Sequence, residues 1–388
     1  MRRSEERILT THVGSLPRSA ELGDLLIRDE AGETIDKTRL ARLGEEAVHH
    51  VVARQCAAGI DIVNDGEQPR VGFQTYVAQR MKGFGGESKR PSPTDYANFP
   101  MFAAQWARNA PRRSKVRNAP QAIGEVVYDD LRPAEEECRL FKAALARQTG
   151  RPVETFMTAP SPGIIATTLL NAHYDSHEAY VFALARQIAK EYALIARDFI
   201  LQIDAPDLAM ERTTLFQDKS TPEFLKIVDM HVAALNEALA GIPRERVRLH
   251  CCWGNWEGPH VDDIPMHYIL PALYQAKVGA LSIEFANPRH QHEYAALRKN
   301  KLPDGFLLLP GVIDSTTSFV EHPEVIANRI CEAVDAVGDR SRVIASSDCG
   351  FCTFAGGEMV TEDVVWAKLE SCSEGAAIAT RRLWGAKA

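Results

Sequence analysis

The sequence predicts a (β/α)8 TIM barrel with a long insertion after the second strand, and three observations carry that expectation. Eight short apolar, β-branched runs recur along the chain, amphipathic helical stretches separate them, and polar residues stand at or just after the ends of most runs. In a barrel of parallel strands those ends gather at one mouth. A doubly wound sheet is the competing arrangement, because it also alternates strands and helices; the many polar strand ends favour the barrel.

The strands are expected at residues 8–13, 60–64, 154–158, 199–203, 247–252, 280–285, 306–313 and 342–346. Gly14-Ser15 follows the first run, Asp65-Gly66-Glu67 the second and Asp204 the fourth. His250 and Cys252 close the fifth, Glu284 the sixth, Asp314 the seventh and Asp348-Cys349 the eighth. Helical periodicity fills residues 37–58, 177–198, 221–240, 264–276, 322–337 and 361–383. At 388 residues, the whole chain fits one enlarged barrel, residues 1–388, read as a single catalytic domain.

Residues 83–120 break the rhythm. The segment is rich in Gly, Pro and Ser, carries Lys89, Arg90, Arg108, Arg112, Arg113, Lys115 and Arg117, and includes Phe84, Tyr96, Phe99, Phe102 and Trp106. Excursions this long are usually functional or disordered, and the aromatics argue for an ordered one. A lid over the mouth and a contact between subunits of a homo-oligomer are both consistent with it, with a lesser role for its basic residues beside an anionic substrate.

Composition narrows the partners. A 45% hydrophobic, 25% charged chain with a net charge of −7 is ordinary for a globular enzyme, and favours neither nucleic acid nor an anionic membrane as a general partner. No signal-peptide core follows Met1-Arg2-Arg3 and no run reaches the length of a membrane span, so a cytoplasmic protein is expected. Its eight cysteines should then be reduced and used for burial or metal binding.

The segment Val247-Arg248-Leu249-His250-Cys251-Cys252 reads as a buried strand ended by Gly254 and Asn255. Strand side chains alternate faces, so His250 and Cys252 share one face and Cys251 takes the other. Glu284 and Cys349 stand at the ends of two later strands. His250, Cys252, Glu284 and Cys349 together offer one imidazole, two thiols and one carboxylate, a donor set that suits Zn2+. Cys352 rivals Cys349, since Cys349-Gly350-Phe351-Cys352 is a CxxC; Cys349 lies nearer the strand end. Thiolate-rich zinc suits activation of a substrate thiol, because coordination deprotonates the thiol and the thiolate is the nucleophile.

With these residues and the opening Thr10-Thr11-His12-Val13-Gly14-Ser15-Leu16-Pro17-Arg18, the chain resembles the catalytic C-terminal barrel of the cobalamin-independent methionine synthase family. The resemblance implies zinc held by His250, Cys252, Glu284 and Cys349. It also implies an acceptor thiol such as homocysteine, held by Gly14, Ser15, Glu67 and Asp204. Carboxylates would pair with its ammonium, and turn N–H groups would bind its carboxylate.

Two departures concern the donor. The family's histidine after the seventh strand is missing from Gly311-Val312-Ile313-Asp314-Ser315-Thr316-Thr317, and its folate-stacking tryptophan is missing from Thr158-Ala159-Pro160-Ser161-Pro162-Gly163. A smaller relative, epoxyalkane:coenzyme M transferase, opens epoxides with a thiol and resembles this chain equally in length. The resemblance thus implies alkylation of a small-molecule thiol by an alkyl donor, with Asp314, His12 or Glu67 managing the leaving group's proton. A metal-free decarboxylase of the uroporphyrinogen decarboxylase type is the alternative on the same fold.

Overall fold

The computed structural model describes residues 1–109, 115–116 and 118–385. Eight parallel strands form the predicted barrel, each covering one of the eight expected positions. In chain order, with two further strands described below, they are β1 (Leu9–Thr10), β2 (Ile62–Val63), β5 (Glu154–Pro160), β6 (Ile200–Asp204), β7 (Val247–Cys251), β8 (Ala280–Ile283), β9 (Leu307–Ile313) and β10 (Ile344–Ser347). Their order is β1-β10-β9-β8-β7-β6-β5-β2. Asp61 joins the two ends of this sheet: its N–H donates to the Thr10 carbonyl at 3.2 Å, and its carboxylate accepts from the Thr10 N–H at 2.9 Å.

All six expected helices are present within a few residues of their predicted ends, among them Lys37–Ala57, His177–Asp198 and Pro323–Val337. Ala20–Glu30 and Arg132–Ala146 are helices beyond those expected; the first starts at a Ser19 cap, the second carries Pro133 in its first turn.

Alternation along the strands separates two apolar layers. Val247, Leu249 and Cys251 of β7 pack into the large cluster shared with the helices. A smaller cluster takes Leu9, Ile62, Phe156, Ile200, Ala280, Leu307, Leu309 and Ile344, drawing on every barrel strand except β7. At that level β7 carries Arg248, whose guanidinium lies 3.4 Å from the Phe156 ring centre. His250 and Cys252 continue the Arg248 face toward the mouth, while Cys251 is outside it. Register places Asp204 beside His250 and His250 beside Ser282.

The excursion after β2 folds, over its described residues, against the barrel. It leaves and returns through an antiparallel ribbon of β3 (Lys82–Gly85) and β4 (Gln121–Val127) and contains the helices Thr94–Asn98 and Pro100–Asn109. Several bonds tie it to the barrel loops: Thr94 N–H donates to the Thr213 carbonyl at 2.9 Å, and the buried Asp95 carboxylate accepts from His260 N–H at 3.1 Å. Of its basic residues, Arg112, Arg113 and Arg117 lie outside the described residues.

Candidate functional site

A cavity of about 190 Å³ opens at the C-terminal ends of the barrel strands. His250, Cys252 and Cys349 meet there, with one ligand atom from each within 4.8 Å of the others, all three buried. Two strands bring them together: β7 carries His250 and is followed directly by Cys252, and the loop after β10 supplies Cys349. Cys349 donates to Cys252, and that bond, helped by His250, brings the Cys252 thiol down to about 6 against the opposing effect of burial. Burial and the same donated bond hold the Cys349 thiol well above its ordinary value. His250 Nδ1 is buried with no hydrogen-bond partner. Two thiols and an imidazole with an orphaned ring nitrogen are a donor set that fits zinc.

Cys352 stands outside this set. Its sulfur lies 3.4 Å from Arg18 Nη1 and 3.4 Å from the Phe354 carbonyl, and burial pushes the thiol up to about 11.

Glu284 is also outside the 4.8 Å set. Oε1 accepts from Trp253 N–H at 2.7 Å, and Oε2 accepts from Asn287 Nδ2 at 2.8 Å and Arg289 Nη2 at 3.1 Å. The physical reason is that β8 stops at Ile283 and the carboxylate turns to the backbone beyond Cys252. The loop is anchored from β10. Asp348 accepts from the N–H groups of Phe285, Ala286 and Asn287 at 2.8, 2.8 and 2.9 Å, and burial pushes it up to about 7. A side chain at Gly311 would put its Cβ 1.9 Å from Asp348 Oδ1, so the anchor requires glycine on β9.

Glu67 and Asp204 share the cavity wall with the thiols. Glu67 and the preceding Gly66 have φ of 55° and 66°, a left-handed pair stabilised by Asn64 and Asp65 side chains that accept from the Gly66 and Glu67 N–H groups. Glu67 Oε1 accepts from Thr158 Oγ1 at 2.9 Å, while Oε2 is buried without a partner, and burial raises the carboxyl above its ordinary range. Burial, then the Glu67 charge, pushes Asp204 up to about 8. Ser15 also lines the cavity. Gly14 lies behind it at φ 148°, where a Cβ would sit 2.7 Å from Thr158 Cγ2 and 2.8 Å from Glu67 Oε1.

The structure does not bring His12 or Asp314 to the cavity lining. His12 is fully buried, its Nε2 2.7 Å from Gln55 Oε1, and burial lowers it to about 4. Asp314 Oδ1 is occupied as a turn acceptor for the N–H and hydroxyl groups of Thr316 and Thr317, at 2.6 to 3.2 Å.

Three features of the site escaped the sequence reading. Arg90, Tyr96 and Trp106 of the insertion reach the cavity lining, as does Trp256 after β7. A lid over the mouth was one of the two roles expected for the insertion; which of its residues line the cavity was not legible. Gln202, on the inner face of β6, links a buried cation to a site carboxylate: Arg248 Nε donates to its Oε1 at 2.7 Å, and its Nε2 donates to Asp204 Oδ1 at 2.7 Å. The i, i+2 spacing of Gln202 and Asp204 was the available signal.

Residues 8–365 match the family model described as the cobalamin-independent synthase catalytic domain. Among similar proteins, the 2-hydroxypropyl-CoM lyase of Xanthobacter autotrophicus is 25% identical over 88% of this chain and 87% of its own length. A methionine synthase of Sulfurisphaera tokodaii is 24% identical over 96% of this chain and 93% of its own. The fold matches a B12-independent methionine synthase from Shewanella sp. W3-18-1, solved in complex with selenomethionine, with a TM-score of 0.70, 21% identity and coverage of 97% and 99%. The expected resemblance is therefore found, and the chain belongs to the cobalamin-independent synthase family through the catalytic domain that residues 8–365 match.

Proposed function

We propose that this protein is a zinc-dependent transferase that moves a methyl group onto the thiol of homocysteine. The observation that carries the reading is the buried His250, Cys252 and Cys349 cluster on the floor of a ligand-sized cavity. These three residues would hold the metal, with neighbouring Glu284 as a fourth donor when no thiol is bound. Zinc supplies the means to keep a substrate thiol deprotonated at neutral pH.

The chain's own residues favour an amino thiol as acceptor. Glu67 and Asp204 put two carboxyl groups on one wall with no Lys or Arg among their hydrogen-bond partners in the described residues, and an ammonium group would satisfy the free Glu67 Oε2. Both carboxyls would ionise as that cation enters. Ser15, which also lines the cavity, would receive the carboxylate end. A thiol bearing a sulfonate would meet two acids instead, which is why homocysteine is preferred to coenzyme M despite the lyase relative.

Metal analysis by plasma emission and homocysteine binding by calorimetry test this reading together. About one zinc per chain is expected, with homocysteine binding lost in Cys252→Ser. Full homocysteine binding and turnover in metal-free protein would refute it.

A further inference from the structure

We propose that the methyl donor is a small onium compound, a sulfonium or quaternary ammonium that also carries a carboxylate, bound in the ring-lined outer half of the same cavity. This rests on the thiol methyl transfer proposed above and names the other substrate.

The cavity divides by depth. Its floor is the strand-end set of fully buried polar groups. Its outer part is bordered by five half-buried aromatic rings, Phe73, Tyr96, Trp106, Trp256 and Phe354. Tyr96 and Trp106 come from the insertion, and their ring centres lie 5.8 and 5.6 Å from that of Trp256; Phe73 and Phe354 pair at 5.8 Å from separate loops. Ring faces carry partial negative charge and attract alkylated cations that water solvates poorly.

Charge points the same way. Glu67 and Asp204 are acids of the wall, and among the described residues the one guanidinium that lines it, Arg90, is already paired with Glu211. With homocysteine bound and both acids ionised, a cationic methyl group therefore meets rings and net negative charge. Arg90 Nε is buried with no hydrogen-bond partner, which leaves one donor for a ligand carboxylate beside the rings.

The missing acid is the third strand of the argument. A folate amine or an opened epoxide must be protonated as it leaves or forms. Among the described residues that line the cavity, His250 is the only histidine, and it belongs to the ligand set; the Glu67 and Asp204 carboxyls, raised by burial, are the ones assigned above to the homocysteine ammonium, which leaves them ionised and without a proton to give. His12 and Asp314 are engaged elsewhere. An onium donor needs no acid: the homocysteine sulfur forms a bond to the methyl carbon, the bond from that carbon to the onium atom breaks, and its electron pair stays on the departing sulfur or nitrogen, which leaves neutral. The net reaction releases only the proton of the acceptor thiol.

The test uses the full chain loaded with zinc and homocysteine. Calorimetry compares glycine betaine with 3,3-dimethylbutanoate, which has the same shape without the cationic centre. The expected result is betaine binding at least about tenfold tighter, the scale of a desolvated cation–π contact, with that preference lost in Trp256→Leu and retained in Trp256→Phe. Dimethylsulfonioacetate should then yield methionine and methylthioacetate in equal amounts. Equal affinity for the charged and uncharged isosteres overturns the proposal, as does turnover with methyltetrahydrofolate or epoxypropane and none with the sulfonium. Homocysteine binding measured alone separates the two levels: its absence defeats the proposed acceptor, whereas homocysteine binding without charge preference defeats the onium donor only.

Discussion

Gln202→Leu tests how the barrel interior holds the acceptor site. Arg248 is buried on the inner face of β7 and its guanidinium is met by Gln202 Oε1, Thr11 Oγ1 and the His12 carbonyl at 2.7, 3.2 and 2.8 Å. No carboxylate touches it, and burial lowers it to about 9. Because arginine only donates, Gln202 must turn its oxygen toward Arg248, which sends its amide nitrogen to Asp204 Oδ1 and the Val13 carbonyl. Leucine removes one charge-assisted bond, worth about 1.5 to 3 kcal/mol, and one bond to a carboxyl that burial keeps protonated, worth about 0.5 to 1.5 kcal/mol, so the loss of stability should be about 2 to 4.5 kcal/mol. Asp204 would also lose the donor that favours its ionised form. Loss of the single bond to an ionised Asp204, at about 1.5 kcal/mol, weakens homocysteine binding about tenfold. Gln202→Glu separates the effects: it keeps an acceptor for Arg248 and deletes the donor to Asp204, so homocysteine affinity should fall with a smaller loss of stability. Urea unfolding and calorimetry read the two quantities. Wild-type homocysteine affinity in Gln202→Leu would refute the reasoning.

Other expectations follow from the same geometry. Asp204 is pushed up to about 8, so between its unfolded value near 4 and that point the folded protein holds a proton the unfolded chain lacks; stability contributed by Asp204 falls as pH rises through this window. Thermal unfolding of Asp204→Asn should therefore lose less between about pH 5 and pH 8 than wild type, and parallel curves would contradict the assignment. In zinc-free protein the lowered thiol predicts that iodoacetamide alkylates Cys252 before Cys349 or Cys352, with zinc protecting it; peptide mapping showing Cys352 first would count against the cluster. Asp314→Asn keeps the turn acceptor and should retain kcat within about twofold, whereas Asp314→Ala should cost about 1 to 2 kcal/mol of stability, as loss of a capping acceptor does. A large fall in kcat for Asp314→Asn would restore it as a proton-transfer group.

The barrel was legible because its signal is periodic: β-branched runs and polar strand ends recur wherever an inner strand meets the mouth. Alternation also decided between Cys251 and Cys252, since Cys251 packs with the outer core. What periodicity cannot show is where a carboxylate turns once its strand has ended. Glu284 follows β8 by one residue and is claimed by Trp253 N–H, Asn287 and Arg289, and Asp314 follows β9 by one residue and folds back on its own turn. His12 likewise faces Gln55 of the helix Lys37–Ala57. The insertion's aromatics were visible as composition, but their approach to Trp256 depends on contacts such as Asp95 with His260, 165 residues apart.

Zinc X-ray absorption before and after homocysteine tests the central claim most directly. The protein loaded with one zinc per chain should show two sulfur neighbours, from Cys252 and Cys349, and a third once homocysteine is added. A sulfur count unchanged by homocysteine, or zinc without sulfur ligands, would contradict it.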